Sequence, residues 1–350
     1  MKIVADSAIP YLDEAFEGRA QVLRLPGAAI SRADLMDADA LLTRTRTKVD
    51  AALLEGTPIQ FVGSATIGTD HIDTEWLRSR GIAFSNAPGC NSGAVMQYVF
   101  TTLYSLAVRK GIVLKGRTLG VVGVGHVGSK VADLALRLGF NVALCDPPRR
   151  EAEGDSRFIP LEELLAVSDI VTLHVPLDKS TRAMADADFF SRMKDGAVFI
   201  NSSRGDVVLT EALTNAYKRL GGVILDVFPG EPDRISPTLI QTADVVTPHI
   251  AGYSLEGKAN ATAAVVQALA EHFGIDELKD FHPATGLPST IAFPLSRDEQ
   301  LTACLLTSLF PFLSLDRSLR ENPSAFEELR NNYPLRHEFT FKQKPIKLWN

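Results

Sequence analysis

The chain is 350 residues long, with a formal net charge of -6, 45% hydrophobic and 22% charged residues. That length implies two or three soluble globular domains, and the negative balance argues against nucleic acid or an anionic membrane as a partner. No apolar run approaches the ~20 residues that span a bilayer, and Cys90, Cys145 and Cys304 lack disulfide or zinc spacing.

Met1–Asp6 reads as a first strand rather than a signal segment, so a cytoplasmic protein is expected. From Lys2 to Asn91 short apolar runs alternate with helical patterns. Ile3–Ala5, Gln21–Leu25, Ala40–Leu42, Phe61–Gly63 and Ile82–Phe84 read as strands, with helices near Leu12–Glu17, Val49–Glu55 and Thr74–Arg80. Such alternation predicts a parallel sheet covered on both faces. Ser92–Arg109 is a longer helical pattern, closed by Gly111 and Gly116. A second α/β unit follows, with strand Leu119–Val122, helix Ser129–Leu138 and strand Asn141–Cys145. Ile170–His174, Ala197–Asn201, Val223–Leu225 and Val245–Thr247 supply further strands, and Gly257–Phe273 is a helix rich in alanine and valine. Beyond Gly274, prolines 283, 288 and 294 mark a linker to a smaller segment with its own apolar run, Leu301–Leu315.

The turn between Leu119–Val122 and its helix reads Gly123-Val124-Gly125-His126-Val127-Gly128. Gly123 permits the tight turn, Gly125 lets the backbone approach a pyrophosphate, and Gly128 lets helix and strand pack closely. The helix N-terminus offers free N–H groups to that anion, which puts His126 and Val127 beside it. Asp146 ends the next strand, roughly 20 residues beyond the last glycine, where a carboxylate binds ribose hydroxyls and repels a 2′-phosphate. NAD is therefore expected over NADP, with Arg149 and Arg150 near enough to soften the preference. The alternative is an aspartate that caps the turn before Pro147-Pro148.

Three residues further on carry the chemistry: Arg204 in Asn-Ser-Ser-Arg-Gly, Glu231 in Pro-Gly-Glu-Pro and His249 in Thr-Pro-His-Ile-Ala-Gly. Oxidising a hydroxy acid needs a base for the hydroxyl proton and a cation for the carboxylate and developing carbonyl. His249 suits the first task, since an imidazole ordinarily titrates near ~6.5. Arg204 suits the second through its planar, permanently charged guanidinium. Glu231 can bond the far imidazole nitrogen and orient the ring. No metal is expected: His71, His174, His272, His282 and His337 have no ligand spacing.

In this order the four motifs resemble the D-isomer-specific 2-hydroxyacid dehydrogenases over about Lys2–Phe273. The resemblance implies two Rossmann-like or flavodoxin-like parallel-sheet domains with an active-site cleft between them. A substrate domain (1–91 and 254–285) would hold an inserted NAD domain (92–253), followed by a small C-terminal α+β dimerisation segment (286–350). The chain is similar above all to the branch that oxidises phosphorylated erythronate in vitamin B6 synthesis. Phe61-Val62-Gly63-Ser64-Ala65-Thr66-Ile67-Gly68-Thr69-Asp70-His71, Ala87-Pro88-Gly89-Cys90-Asn91 and His249-Ile250-Ala251-Gly252-Tyr253-Ser254-Leu255-Glu256-Gly257-Lys258 carry that likeness, as does the tail Phe326-Glu327-Glu328-Leu329-Arg330-Asn331-Asn332-Tyr333.

The resemblance further implies that Thr45, Thr66 and Tyr253 contact a small phosphorylated 2-hydroxy acid. Asp146, Ser202, Ser203, Arg204, Asp226 and Gly252 would line the NAD site, Asp226 accepting from the nicotinamide amide. Val175 stands where a threonine is common, leaving it a backbone contact only. The tail would form a homodimer. Arg44-Thr45-Arg46-Thr47-Lys48 reads either as a local phosphate site built on Arg44 and Arg46 or as a solvated loop. Two rivals stay open: a phosphoglycerate-type dehydrogenase, and a non-enzymatic NAD-sensing corepressor on the same fold.

Overall fold

Five parallel strands open the chain: β1 (Lys2–Asp6), β2 (Gln21–Leu25), β3 (Ala40–Thr43), β4 (Phe61–Ser64) and β5 (Ala83–Asn86), in the order β2-β1-β3-β4-β5. The computed structural model describes residues 1–154, 156–285, 291–293 and 298–341. The strands read as near-continuous apolar runs because both faces are covered. Ile3, Ala5, Ala40, Leu42 and Phe61 face one way, onto Val265, Val266 and Leu269 of the helix Leu255–Phe273. Val4, Leu41 and Val62 face the other, onto Leu35, Leu54 and Leu77, as a side-chain period of two requires. The Ser254 side chain caps the Leu255–Phe273 helix by accepting the Gly257 N–H at 2.9 Å.

Ser92–Tyr253 forms a second unit, built on β6 (Thr118–Val122), β7 (Asn141–Cys145), β8 (Ile170–Leu173), β9 (Val198–Asn201), β10 (Gly222–Leu225) and β11 (Val245–Val246). Its parallel sheet runs β11-β10-β9-β8-β6-β7. A single parallel bridge from Leu144 to Phe158 adds a vestigial strand beyond β7. Counted with it, the order is that of the dinucleotide-binding doubly wound sheet, and the chain reverses between β6 and β8. The glycine loop leaves β6 at that point. No helix is long and apolar enough to cross a membrane among the described residues.

The C-terminal segment was expected as a third body, and the structure instead groups it with the second unit. The apolar run Leu301–Leu315 has no core of its own to enter. It breaks around Pro311 into the helices Glu299–Leu309 and Leu313–Glu321. Leu306, Phe310 and Phe312 then bury with Tyr98, Phe100 and Leu103 of the helix Ser92–Lys110. Two short strands, β12 (Ile291–Phe293) and β13 (Phe339–Phe341), pair in parallel. The expected linker prolines 288 and 294 lie outside the described residues, as does the tail from residue 342.

Candidate active site

Arg204, Glu231 and His249 sit on three loops that leave neighbouring strands of one sheet. Leu225 at the end of β10 pairs with Asn201 of β9 on one side and Val246 of β11 on the other. With strands about 4.8 Å apart, the three loops start side by side beyond the carboxyl ends, where open α/β sheets bind ligands.

Asn201 fastens the first loop. Its Oδ1 accepts the Ser203 N–H at 3.0 Å and hydroxyl at 2.8 Å, and its Nδ2 donates to the Arg204 carbonyl at 3.0 Å. Gly205 seats this loop on the next one: a Cβ there would come within 2.0 Å of the Phe228 carbonyl carbon.

Asp226 fastens the third loop. Its carboxylate accepts the Thr247 hydroxyl at 2.6 Å and the N–H groups of Ile250 and Ala251 at 2.8 and 2.9 Å. Its carbonyl accepts the His249 N–H at 2.8 Å. This clamp holds His249 at φ 54, a conformation that non-glycine residues adopt only when their surroundings impose it. Tyr98, from the Ser92–Lys110 helix, extends the clamp with a 2.8 Å bond between its hydroxyl and that of Thr247. Burial raises the Asp226 carboxyl above its ordinary range, although the His249 charge and these hydrogen bonds oppose the rise. Asp226, 1% exposed, thus anchors the loop that carries His249.

Glu231 is committed through both oxygens. Oε2 accepts the Phe228 N–H at 2.9 Å, and Oε1 is hydrogen-bonded to His249 Nδ1. Burial alone would raise the Glu231 carboxyl, but the charge and hydrogen bond of His249 outweigh it, helped by Phe228 and the charge of Arg330, and hold it below its ordinary value. An ionised glutamate accepts from Nδ1–H, so Nε2 is left as the nitrogen able to take a proton. By contrast, His174 is pushed by burial to about 3 and bonds Thr172 at 3.0 Å, so it is a neutral structural residue.

The cofactor loop has the features a dinucleotide needs. Gly123 has φ +84, and a Cβ on it would lie 2.7 Å from the His174 carbonyl and 2.9 Å from Val175 Cγ1. Val175 therefore touches the loop itself. Gly125 faces open space, and His126 and Val127 begin the helix His126–Arg137. Asp146 is half-buried; Oδ2 accepts the Val124 N–H at 2.8 Å and Oδ1 caps the helix Pro147–Glu153 at Arg149 N, 3.1 Å away. Ser202 Oγ is buried and makes no hydrogen bond among the described residues. An open glycine, an unsatisfied buried hydroxyl and a helix N-terminus together suit NAD.

Arg149, expected to be available to a 2′-phosphate, is instead engaged. It donates to Glu153 at 2.5 and 3.0 Å and to the Val124 carbonyl at 2.6 Å, and lies 5.1 Å over the Phe158 ring. Arg150 is exposed.

In the first unit, Thr45 and Thr66 follow the carboxyl ends of β3 and β4, which pair at Thr43 and Ser64. Thr66 Oγ1 bonds Ser64 at 2.8 Å and the Gly68 carbonyl at 3.2 Å. The Arg44–Lys48 stretch turns rather than extends, so strand alternation does not govern it. Arg44 donates to the Ala8 carbonyl at 3.4 Å, Arg46 is exposed, buried Thr47 bonds the Gly27 carbonyl at 2.9 Å, and Lys48 pairs with Asp50 at 2.7 Å.

Sequence reasoning missed Asn201, Gly205, Thr247, Tyr98 and Arg330. Asn201, Gly205 and Thr247 sit inside the very motifs that flag Arg204 and His249. Tyr98 and Arg330 gave no local signal, because their partners are distant in the chain. Tyr253, expected at the hinge, has its hydroxyl bonded by Arg330 Nε at 3.0 Å, and Gly252 precedes it, half-buried.

A family profile described as "D-isomer specific 2-hydroxyacid dehydrogenase, NAD binding domain" matches residues 99–251. The chain is 43% identical over 345 residues, 97% of each partner, to a protein of Bacteroides fragilis named erythronate-4-phosphate dehydrogenase. It is 42% identical to one of the same name from Yersinia pestis, covering 97% of this chain and 93% of that one. Among solved structures it is similar to a D-lactate dehydrogenase from Aquifex aeolicus in complex with NAD and lactic acid. There the TM-score is 0.68 at 26% identity, over 81% of this chain and all (100%) of that one.

Proposed function

We propose that this chain, which belongs to the D-isomer-specific 2-hydroxyacid dehydrogenase family, oxidises 4-phospho-D-erythronate to 3-hydroxy-2-oxo-4-phosphonooxybutanoate in vitamin B6 synthesis. The observation that carries the chemistry is the Glu231–His249 hydrogen bond beside the Arg204 loop, on the sheet that holds the glycine fingerprint. The observation that carries the substrate is the 43% identity over 97% of the chain.

NAD supplies the hydride acceptor when bound, and Gly123, Gly125, Gly128, Asp146, Ser202, Ser203 and Gly252 would hold it. His249 Nε2 takes the C2 hydroxyl proton. The imidazolium that results is stabilised by ionised Glu231. Arg204 binds the carboxylate and polarises the oxygen at C2 as it becomes a carbonyl. The clamp from Asp226 fixes His249 before substrate arrives, so little ordering remains at the moment of reaction. From the first unit, Thr45, Thr66, Arg44 and Arg46 are proposed to contact substrate, with Tyr253 from the second. A homodimer through the C-terminal segment and a cytoplasmic location complete the reading. Gel filtration with light scattering tests the dimer.

The deciding measurement is NADH formation with 4-phosphoerythronate beside erythronate and 3-phosphoglycerate. A clear preference for the first acid is expected. Preference for 3-phosphoglycerate would assign the chain to the phosphoglycerate type, and NAD binding without turnover of any acid would favour the corepressor reading.

A further inference from the structure

Arg330 lies in the helix Phe326–Asn331 of the C-terminal segment. Phe326 docks that helix on the loop that carries Glu231: it is buried edge-on against Phe228, with ring centres 6.0 Å apart. From there Arg330 Nε donates to the Tyr253 hydroxyl at 3.0 Å, and its guanidinium carbon lies 5.9 Å from the Tyr253 ring centre. Tyr333 packs on the same ring, 6.3 Å away. Among the described residues the two terminal nitrogens of Arg330 make no hydrogen bond or ion pair. Its positive charge also bears on the Glu231 carboxylate.

Such an arrangement has a chemical use. The guanidinium is half-buried, fixed at one nitrogen, and keeps a planar pair of donors for an anion; phosphate accepts such a pair bidentately. Because the side chain is already held, little rotamer entropy is lost when the anion arrives. Arg204 is assigned to the carboxylate end of the substrate, so the phosphate end needs cations of its own, and Arg330 is a further one in addition to the proposed Arg44 and Arg46. We propose that Arg330 is a specificity-determining residue, its Nη1 and Nη2 binding the substrate phosphate while Nε remains on Tyr253. This assignment rests on the phosphorylated hydroxy acid proposed above.

The test uses the NAD-loaded full chain with Arg330→Met, Arg330→Lys and Tyr253→Phe. The kcat/KM ratio of 4-phosphoerythronate to erythronate should narrow about tenfold or more in Arg330→Met, through KM rather than kcat. Arg330→Lys should keep part of the preference, and Tyr253→Phe, which frees the guanidinium, should narrow it by a smaller factor. An unchanged ratio, or an equal loss on both acids, overturns the proposal. Calorimetric titration with inorganic phosphate separates this claim from the substrate reading. If the wild type oxidises neither acid, that reading fails, yet phosphate binding about tenfold weaker in Arg330→Met still supports the subsite. Equal phosphate binding by the two proteins sinks it.

Discussion

His249 Nδ1 is hydrogen-bonded to one oxygen of Glu231 while the Phe228 N–H holds the other at 2.9 Å. The consequence for Glu231→Gln is specific. The Phe228 N–H needs an acceptor, so the glutamine carbonyl turns toward it and the NH2 turns toward Nδ1. The imidazole then carries its proton on Nε2 and has no lone pair there for the substrate hydroxyl. Single-turnover hydride transfer should fall by about 10²-fold or more, and further than in Glu231→Ala, which leaves the tautomer free. If Glu231→Gln is the more active of the two, Glu231 does not set the tautomer.

Acid should expose the same pair through stability. The folded-state Glu231 pKa is held below its ordinary value of 4.5, so between the two values the unfolded chain binds more protons and stability rises with pH. The contribution is fully present above about 4.5 and is lost as pH falls through the folded value. Asp226 has the opposite sign, because its carboxyl is raised by burial above 3.8, and protonating it favours the fold. The wild-type curve alone mixes the two. Subtracting the Tm profile of Glu231→Gln isolates Glu231, and the wild type should lose more Tm below pH 4.5 than the variant. Parallel profiles would show that the ion pair contributes nothing to folding.

Cofactor choice rests on more than Asp146. Asp146→Ala removes the proposed ribose ligand and a charge that would repel a 2′-phosphate, so NAD binding should weaken. It also removes a helix cap, worth ~1 kcal/mol. Little NADP use should follow, because Arg149 stays paired with Glu153 across one helical turn. Adding Glu153→Gln loosens that guanidinium, and the NADP-to-NAD ratio of kcat/KM should then rise well beyond that of Asp146→Ala alone. A double variant no better with NADP than the single one would leave the phosphate to Arg150 or to no residue.

The parts of this molecule legible in the sequence are those in which cause and effect are neighbours. Ile3, Val4 and Ala5 announce β1 because both faces of that strand are buried, and Gly123 and Gly128 announce their turn because a Cβ fits at neither. Arg204, Glu231 and His249 could be placed beyond strand ends because each follows a short apolar strand. The anchoring role of Asp226 was not legible, because its partners, Thr247, Ile250 and Ala251, come from the next strand's loop. The hold of Glu153 on Arg149 is readable at i, i+4 spacing. Phe158 is the reverse case: one bridge replaces a strand, and no periodicity can show in one residue.

Gly125 and Gly128 belong to one motif but should fail in different ways. Gly125 has φ -78, which alanine tolerates, and a Cβ there meets nothing within 4 Å. Replacing it should leave Tm unchanged or slightly raised, since the unfolded chain loses freedom. The added methyl would stand where the pyrophosphate approaches, so NAD affinity should drop about tenfold or more, ~1.4 kcal/mol. Gly128 is closed in. A Cβ on it would lie 2.0 Å from the Gly123 carbonyl oxygen and 3.1 Å from Val121 Cγ1. Gly128→Ala must push the helix off the loop, at about 1–3 kcal/mol of overpacking strain, and should lower Tm as well as NAD affinity. Thermal melts with and without NAD distinguish the two variants. If Gly125→Ala binds NAD as tightly as the wild type, the diphosphate does not lie over this loop.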